Sequence, residues 1–120
     1  KQKAIFGLPG NPISSAACFR FFVYPYLQNL LGVPEEKPIK AILKNSFVKK
    51  KNFTQFIKSK LSTTSNGKIE VEILKGQESF RISSFLKSNF WSLFPHGKSK
   101  FKKGEIIECF LLNQPNKIFI

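Results

Sequence analysis

The sequence contains no methionine, two cysteines, one histidine and one tryptophan, and only seven of its 120 residues are acidic. Each shortage excludes something. With no initiating methionine, and with Lys1-Gln2-Lys3 running directly into the apolar Ala4-Ile5-Phe6, the chain reads as a piece of a longer protein. Cys18 and Cys109 lie far apart. They cannot form the dense disulfide framework of a small secreted domain, and they read as two reduced thiols. His96 alone cannot complete a metal site with them, so no metal ligands are expected within this chain. No apolar run reaches the roughly 18 residues of a membrane span, and no secretory pattern opens the chain. A cytoplasmic protein without a membrane partner is the expectation.

What is abundant is lysine, phenylalanine, isoleucine and asparagine. Twenty basic residues against seven acidic ones give a formal net charge of +13. AT-rich codons encode all four of those residue types, so a codon bias would account for much of the lysine without selection for function. The usual inference from basic charge to nucleic acid is weakened accordingly, and nucleic acid is not the expected partner. The 42% hydrophobic and 14% aromatic content suits one domain with a modest core, or a small domain plus part of another.

Along the chain, residues 3–8 form an apolar run ending at Pro9, which reads as a short buried strand. Pro9-Gly10-Asn11-Pro12 is a turn. Asn11 occupies the place of a helix N-cap and Pro12 that of the first helical residue, where its missing N–H costs nothing. From residue 13 to residue 31 apolar side chains recur at helical spacing, through Ala16, Phe19, Val23, Tyr26, Leu27 and Leu30. Phe19, Phe22, Val23 and Tyr26 read as a packing stripe. Pro25 predicts a kink or break, and Gly32 a C-terminal stop.

Beyond a polar, proline-containing connection at residues 34–38 the texture changes to short strands. They fall at 39–43, 53–61, 68–74, 89–94, 105–112 and 118–120, with one helical turn at 83–88. Ser65-Asn66-Gly67 reads as a type I′ hairpin turn and Lys103-Gly104 as a second hairpin. The fold expected is mostly β, a small C-terminal β-barrel preceded by the last strand and helix of an α/β domain. The divisions are residues 1–33, a linker at 34–38, and the barrel at 39–120.

The turn has a chemical logic. A helix start leaves backbone N–H groups unpaired and carries partial positive charge, so it attracts anions. Gly10 permits close approach, and Ser14 and Ser15 add hydroxyls, which together make a plausible oxyanion cradle. Many α/β proteins cap a helix in this way with nothing bound.

Phe6 to Ser15, "FGLPGNPISS", resembles the Pro-Gly-Asn-Pro-x-Ser signature of the molybdopterin molybdenumtransferase family, the MoeA proteins of bacteria and the E-domain of gephyrin. "SSFLKSNFWSLFP", from Ser83 to Pro95, is similar to the family's Ser-x-x-x-x-Asn stretch. "FKKGEIIECF", from Phe101 to Phe110, resembles its closing Gly-Glu hairpin. The resemblance implies a homodimeric enzyme whose cleft lies between the α/β domain of one subunit and the β-barrel of the other. Its substrates would be adenylylated molybdopterin (molybdopterin-AMP) and molybdate. With Mg2+ it would release AMP and molybdenum cofactor.

Carried over by residue, Pro9, Gly10, Asn11, Pro12 and Ser14 would line the pterin and molybdate pocket, and Ser84 would donate a hydroxyl from the barrel side. Lys58 would stand where the family has arginine. Lysine keeps the charge but lacks the planar fork that holds an oxyanion with two bonds. Lys58 therefore stands either at the ligand or on a solvated strand face. No catalytic residue is assigned. Few acids are available for Mg2+, so its ligands are expected outside this chain, and the fragment alone is expected to be inactive. Three lysine clusters, 49–51, 58 with 60, and 98–103, are available to anions, the first and last reading as solvated loops. The rival reading is a basic β-barrel that binds single-stranded nucleic acid, and a third is a scaffold that binds a protein partner without catalysis.

Overall fold

The computed structural model describes residues 3–75 and 82–112. Helical structure opens it in three continuous pieces: α1 (Pro12–Cys18), a π-helical stretch (Phe19–Val23) and α2 (Tyr24–Leu30). Asn11 caps the start, with its Oδ1 accepting from the N–H groups of Ile13 and Ser14. The π stretch lies directly before Pro25. Proline has no N–H to offer the carbonyl four residues back and its ring crowds that carbonyl, so the ladder widens there instead of breaking. Tyr24 N–H accordingly reaches back to the Phe19 carbonyl. The end is a Schellman motif. Gly32, at φ 67°, takes the left-handed position. Its N–H donates to the Asn29 carbonyl at 3.1 Å, and Val33 N–H to the Gln28 carbonyl at 2.9 Å.

The expected apolar stripe is not the buried face. Phe22 and Tyr26 are exposed, and Phe19 and Val23 are half-buried. The buried positions are Ile13, Arg20, Tyr24 and Gln28. The buried residues step by seven, four and four, so they are a neighbouring face of the same helical repeat. The barrel wall selects it: Arg20 bonds the Leu111 carbonyl and Phe21 stacks on Phe56. The buried strand expected at residues 3–8 is absent as well. A strand requires a hydrogen-bonded neighbour, and none of the described residues supplies one. Ile5 is 94% exposed, while the Phe6 ring meets Tyr26 edge-on at 5.4 Å.

The barrel follows. Its strands are β1 (Ile39–Leu43), β3 (Gln55–Thr63), β4 (Ile69–Ile73), β5 (Phe90–Phe94) and β7 (Ile106–Leu111), closed in the order β1-β4-β3-β5-β7. Only β1 and β4 run parallel. β3 is long enough to serve two neighbours. Residues 55–59 pair with β5 and residues 59–63 with β4, so closure turns on Ser59. A separate ribbon, β2 (Phe47–Val48) with β6 (Lys100–Phe101), was not legible as strands because each is two residues long. A short helix, α3 (Ile82–Lys87), precedes β5. The strand expected at 118–120 lies outside the described residues.

The β3–β4 turn is not type I′, which needs two central residues at positive φ. Only Gly67 is left-handed, at 81°, and its N–H closes on the Thr64 carbonyl at 3.0 Å. Alternation fills the barrel as the sequence suggested. Ala41, Leu43, Ile57, Val71, Ile73, Phe94, Phe101, Ile107 and Cys109 form one core. A polar seam runs through it. Ser92 Oγ donates to Ser59 Oγ at 2.8 Å, and Ser59 Oγ donates to the Phe90 carbonyl at 3.1 Å. Neither hydroxyl is left unsatisfied.

Candidate functional site

The helix seats on the outer wall of the barrel through one side chain. Phe21 stacks on Phe56 with ring centroids 3.8 Å apart and meets Trp91 and Phe110 edge-on at 6.0 and 5.5 Å. Trp91 is therefore a buried contact between helix and barrel, on the face of β5 opposite the core residues Ser92 and Phe94. Beside Phe21, Arg20 Nε donates to the Leu111 carbonyl at 3.2 Å, and its Nη2 lies 2.6 Å from Glu36. Sequence reasoning missed this pair. The signal was present, since Arg20 is the one charged residue between Pro12 and Pro34. A lone charge on an apolar helix is buried only with a partner.

Of the expected site residues, Pro9, Gly10 and Pro12 are exposed, and Asn11 and Ser14 are half-buried. The helix start offers less to an anion than expected. Pro12 has no N–H. Those of Ile13 and Ser14 go to Asn11 Oδ1 at 3.0 and 3.2 Å, and that of Ser15 to the Asn11 carbonyl at 2.8 Å. Asn11 thus fills the cradle itself. The side-chain donors left to a ligand are its own NH2 and the hydroxyls of Ser14 and Ser15.

Lys58 is not on a solvated strand face. Ile57 and Ser59 point into the barrel, so Lys58 points out, yet it is only 2% exposed. Its register partner is Trp91, on the strip of wall where Phe21 lands. Lys58 is also not left without an interaction inside the fold, as a buried ammonium requires. Ser84 lies in α3, and α3 packs against β3, the strand of Lys58. The turn's described hydrogen bonds close within residues 11–15 and join it to neither element.

Asn89, singled out as the end of the Ser-x-x-x-x-Asn stretch, is a clamp. Its side-chain amide accepts from Leu61 N–H at 2.8 Å and donates to the Leu61 carbonyl at 3.2 Å. Asn45 does the same to Ile73, at 3.0 and 3.3 Å. Both amides act as a short piece of extra strand.

The residues expected to be solvated or inert divide. Lys49 is buried, its Nζ donating to the carbonyls of Lys50 and Phe53 at 3.1 and 2.6 Å. Lys98 pairs with Glu105 and lies 4.8 Å from the Phe101 ring centroid. Cys18 and Cys109 are free thiols. Burial pushes the Cys109 thiol above its ordinary value, opposed by its contact with Ser92. His96 is an exposed loop residue. Among the described residues no three His, Cys, Asp or Glu side chains cluster to hold a metal, and Glu36, Glu72 and Glu105 are each paired with a cation. The described residues do not supply a donor set that fits Mg2+. No described helix is long and apolar enough to cross a membrane.

Residues 40–112, from β1 to the end of β7, match the family model described as "MoeA C-terminal region (domain IV)". The chain belongs to the MoeA family. It is 34% identical over 112 residues to a protein named molybdopterin molybdenumtransferase from Staphylococcus aureus, and 35% identical over 110 residues to one of that name from Synechocystis. Each match covers 91% of this chain and about a quarter of the relative's length. Among solved structures it is similar to a molybdopterin biosynthesis MoeA protein from Pyrococcus horikoshii, with a TM-score of 0.70 and 29% identity over 85% of this chain and 26% of that one. The MoeA match falls on the barrel. The Pro-Gly-Asn-Pro turn lies before the matched residues.

Proposed function

We propose that this chain is the C-terminal part of an enzyme that inserts molybdate into adenylylated molybdopterin, releasing AMP and molybdenum cofactor. The observation that carries the reading is the barrel's membership in a family whose curated relatives are named for this transfer. On this reading residues 1–33 close a molybdopterin-binding α/β domain, 34–38 link it, and 39–120 form the barrel domain. The exposed apolar side chains of Ile5, Phe6, Leu8, Phe22, Leu30 and Leu31 then pack against the remainder of that α/β domain. The parent enzyme is a cytoplasmic homodimer.

Pro9, Gly10, Asn11, Pro12 and Ser14 shape one wall of the pterin and molybdate pocket. The Asn11 amide and the Ser14 hydroxyl serve as neutral donors to a tetrahedral oxyanion. Lys58 and Ser84 act from the barrel side. A lysine held away from bulk water attracts a dianion more strongly than a solvated one, because screening is weaker. Mg2+ is supplied by segments outside this chain, and no step here runs through it.

The test is AMP release by the full-length parent, given adenylylated molybdopterin, molybdate and magnesium, and followed by chromatography. The expected result is AMP release that depends on molybdate and falls in Lys58→Ala. Failure of the folded wild-type dimer to release AMP, or release independent of molybdate, would overturn the assignment.

A further inference from the structure

Two lysine runs far apart in sequence are laid side by side. β2 pairs antiparallel with β6, setting Val48 opposite Lys100. The following loops are laced together, with Lys49 N–H donating to the Ser99 carbonyl and Gly97 N–H to the Lys51 carbonyl, both at 2.9 Å. Residues 47–54 and 96–104 hold seven of the chain's eighteen lysines and none of its seven acids. A codon bias would raise the lysine count everywhere, but it would not lay one run against the other.

Lys49 is the strut, buried and holding the loop carbonyls of Lys50 and Phe53. The other six, Lys50, Lys51, Lys98, Lys100, Lys102 and Lys103, are exposed. Glu105 borders them and is occupied by Lys98 and by Lys102 N–H. Ammonium groups crowded without acids raise the local potential and recruit anions.

Next to Lys50, and opposite Lys100 in the ribbon, lie exposed apolar side chains where solvated loops need none. Phe53 is 56% and Val48 68% exposed. With Lys49, Lys50 and Gln55 they line an open depression of about 640 Å³. An exposed aromatic ring on this shallow surface accepts a planar base while neighbouring lysines hold phosphates. An anionic bilayer is typically met by an amphipathic helix laying an apolar face into it, whereas this face is a two-stranded ribbon with its loops, and an acidic peptide makes no use of the ring. We propose that this ribbon face binds single-stranded nucleic acid, with phosphates on the exposed lysines and a base stacked on Phe53. The inference is independent of the transfer reaction above.

The experiment is fluorescence anisotropy of a labelled oligothymidylate of roughly a dozen nucleotides, titrated with the full-length protein from about 50 to about 200 mM salt. The expected log–log slope of affinity on salt is about −3 to −4, from roughly five phosphate contacts at about 0.7 each. Lys102→Gln and Lys103→Gln lie in the turn before β7 and leave the strands intact. Each should make the slope less negative by about 0.7. Phe53→Ala should weaken binding about tenfold with the slope unchanged. The proposal falls if the single strand does not bind at the lowest salt, or if Phe53→Ala binds as well as wild type. It falls equally if polyglutamate or phosphatidylserine vesicles compete the oligonucleotide away at equal charge. Circular dichroism melts of each variant confirm that the fold being compared is the same.

Discussion

Arg20 in the π stretch and Glu36 in the linker form an ion pair at 2.6 Å, with their side chains 3% and 14% exposed. Arg20 also donates to the Leu111 carbonyl at the end of β7. One guanidinium therefore ties the helix, the connection and the last strand of the barrel together. Removing one member of a buried pair leaves the other charge without compensation, so Arg20→Ala should cost about 3 kcal/mol. Arg20→Met combined with Glu36→Leu should restore most of it, because the uncompensated charge is gone. Urea unfolding of the two variants decides this, and a loss below about 1 kcal/mol in the single variant would show the pair to be unimportant.

Phe21 is the anchor of the helix on the barrel wall, stacked on Phe56 and touching the single tryptophan. Phe21→Ala should cost about 2–3 kcal/mol. It should also open Trp91 to water, which shifts its fluorescence emission to the red. An unchanged emission maximum in the folded variant would mean that other groups bury Trp91.

Asn89→Ala removes two hydrogen bonds to Leu61 at the rim of the barrel, where water replaces part of the loss. The expected cost is about 1 kcal/mol, with faster hydrogen exchange at the Leu61 amide. Asn89→Asp should do no better, since a carboxylate cannot donate to the Leu61 carbonyl. Equal protection of Leu61 in all three proteins would remove the clamp from consideration.

Asn11 has two roles that separate by substitution. Asn11→Ala loses the cap and about 1 kcal/mol. Asn11→Asp keeps a capping oxygen for the Ile13 and Ser14 amides and should fold normally. On the proposed function it should nevertheless bind molybdate poorly, because a carboxylate repels an oxyanion. Calorimetric titration of the full-length protein with molybdate checks this, and wild-type affinity in Asn11→Asp would take the turn out of the pocket.

Glu105 is held below its ordinary value of 4.5, first by the hydrogen bond from Lys98, then by the one from Lys102 N–H. A carboxylate whose folded value is depressed stabilises the fold fully above its unfolded value, and the contribution disappears as pH falls through the folded value. Wild type should therefore exceed Glu105→Gln in melting temperature near neutrality, and the gap should close below about pH 4.5. A gap that widens in acid would reverse the sign of the argument.

Much of the architecture was legible in the chain. Asn11-Pro12 and Gly32 bracket the helix because capping and left-handed geometry are local demands. Alternation at Ile69, Val71 and Ile73 announces β4 because one face of a closed sheet is dry. The Pro-Gly-Asn-Pro turn and the Ser-x-x-x-x-Asn stretch carried the family, which the barrel match bears out. Local rules failed where a neighbour decides. Residues 3–8 have the apolar character of a strand but, among the described residues, no partner for their backbone. Val48 and Lys100 form strands only because each lies against the other.

The sequence by itself determined the local elements, the +13 charge and the likeness to MoeA, since caps, periodicities and motifs act over a few residues. Only the tertiary structure decided where charge and apolar surface come to rest. The helix seats on the barrel through Arg20 and Phe21, and this turns Phe22 and Tyr26 outward and Arg20 inward. Strand register buries Lys58 beside Trp91, and the β2–β6 ribbon joins lysine runs that lie about fifty positions apart. These outcomes depend on non-local contacts, because burial is set by which surfaces close over a side chain.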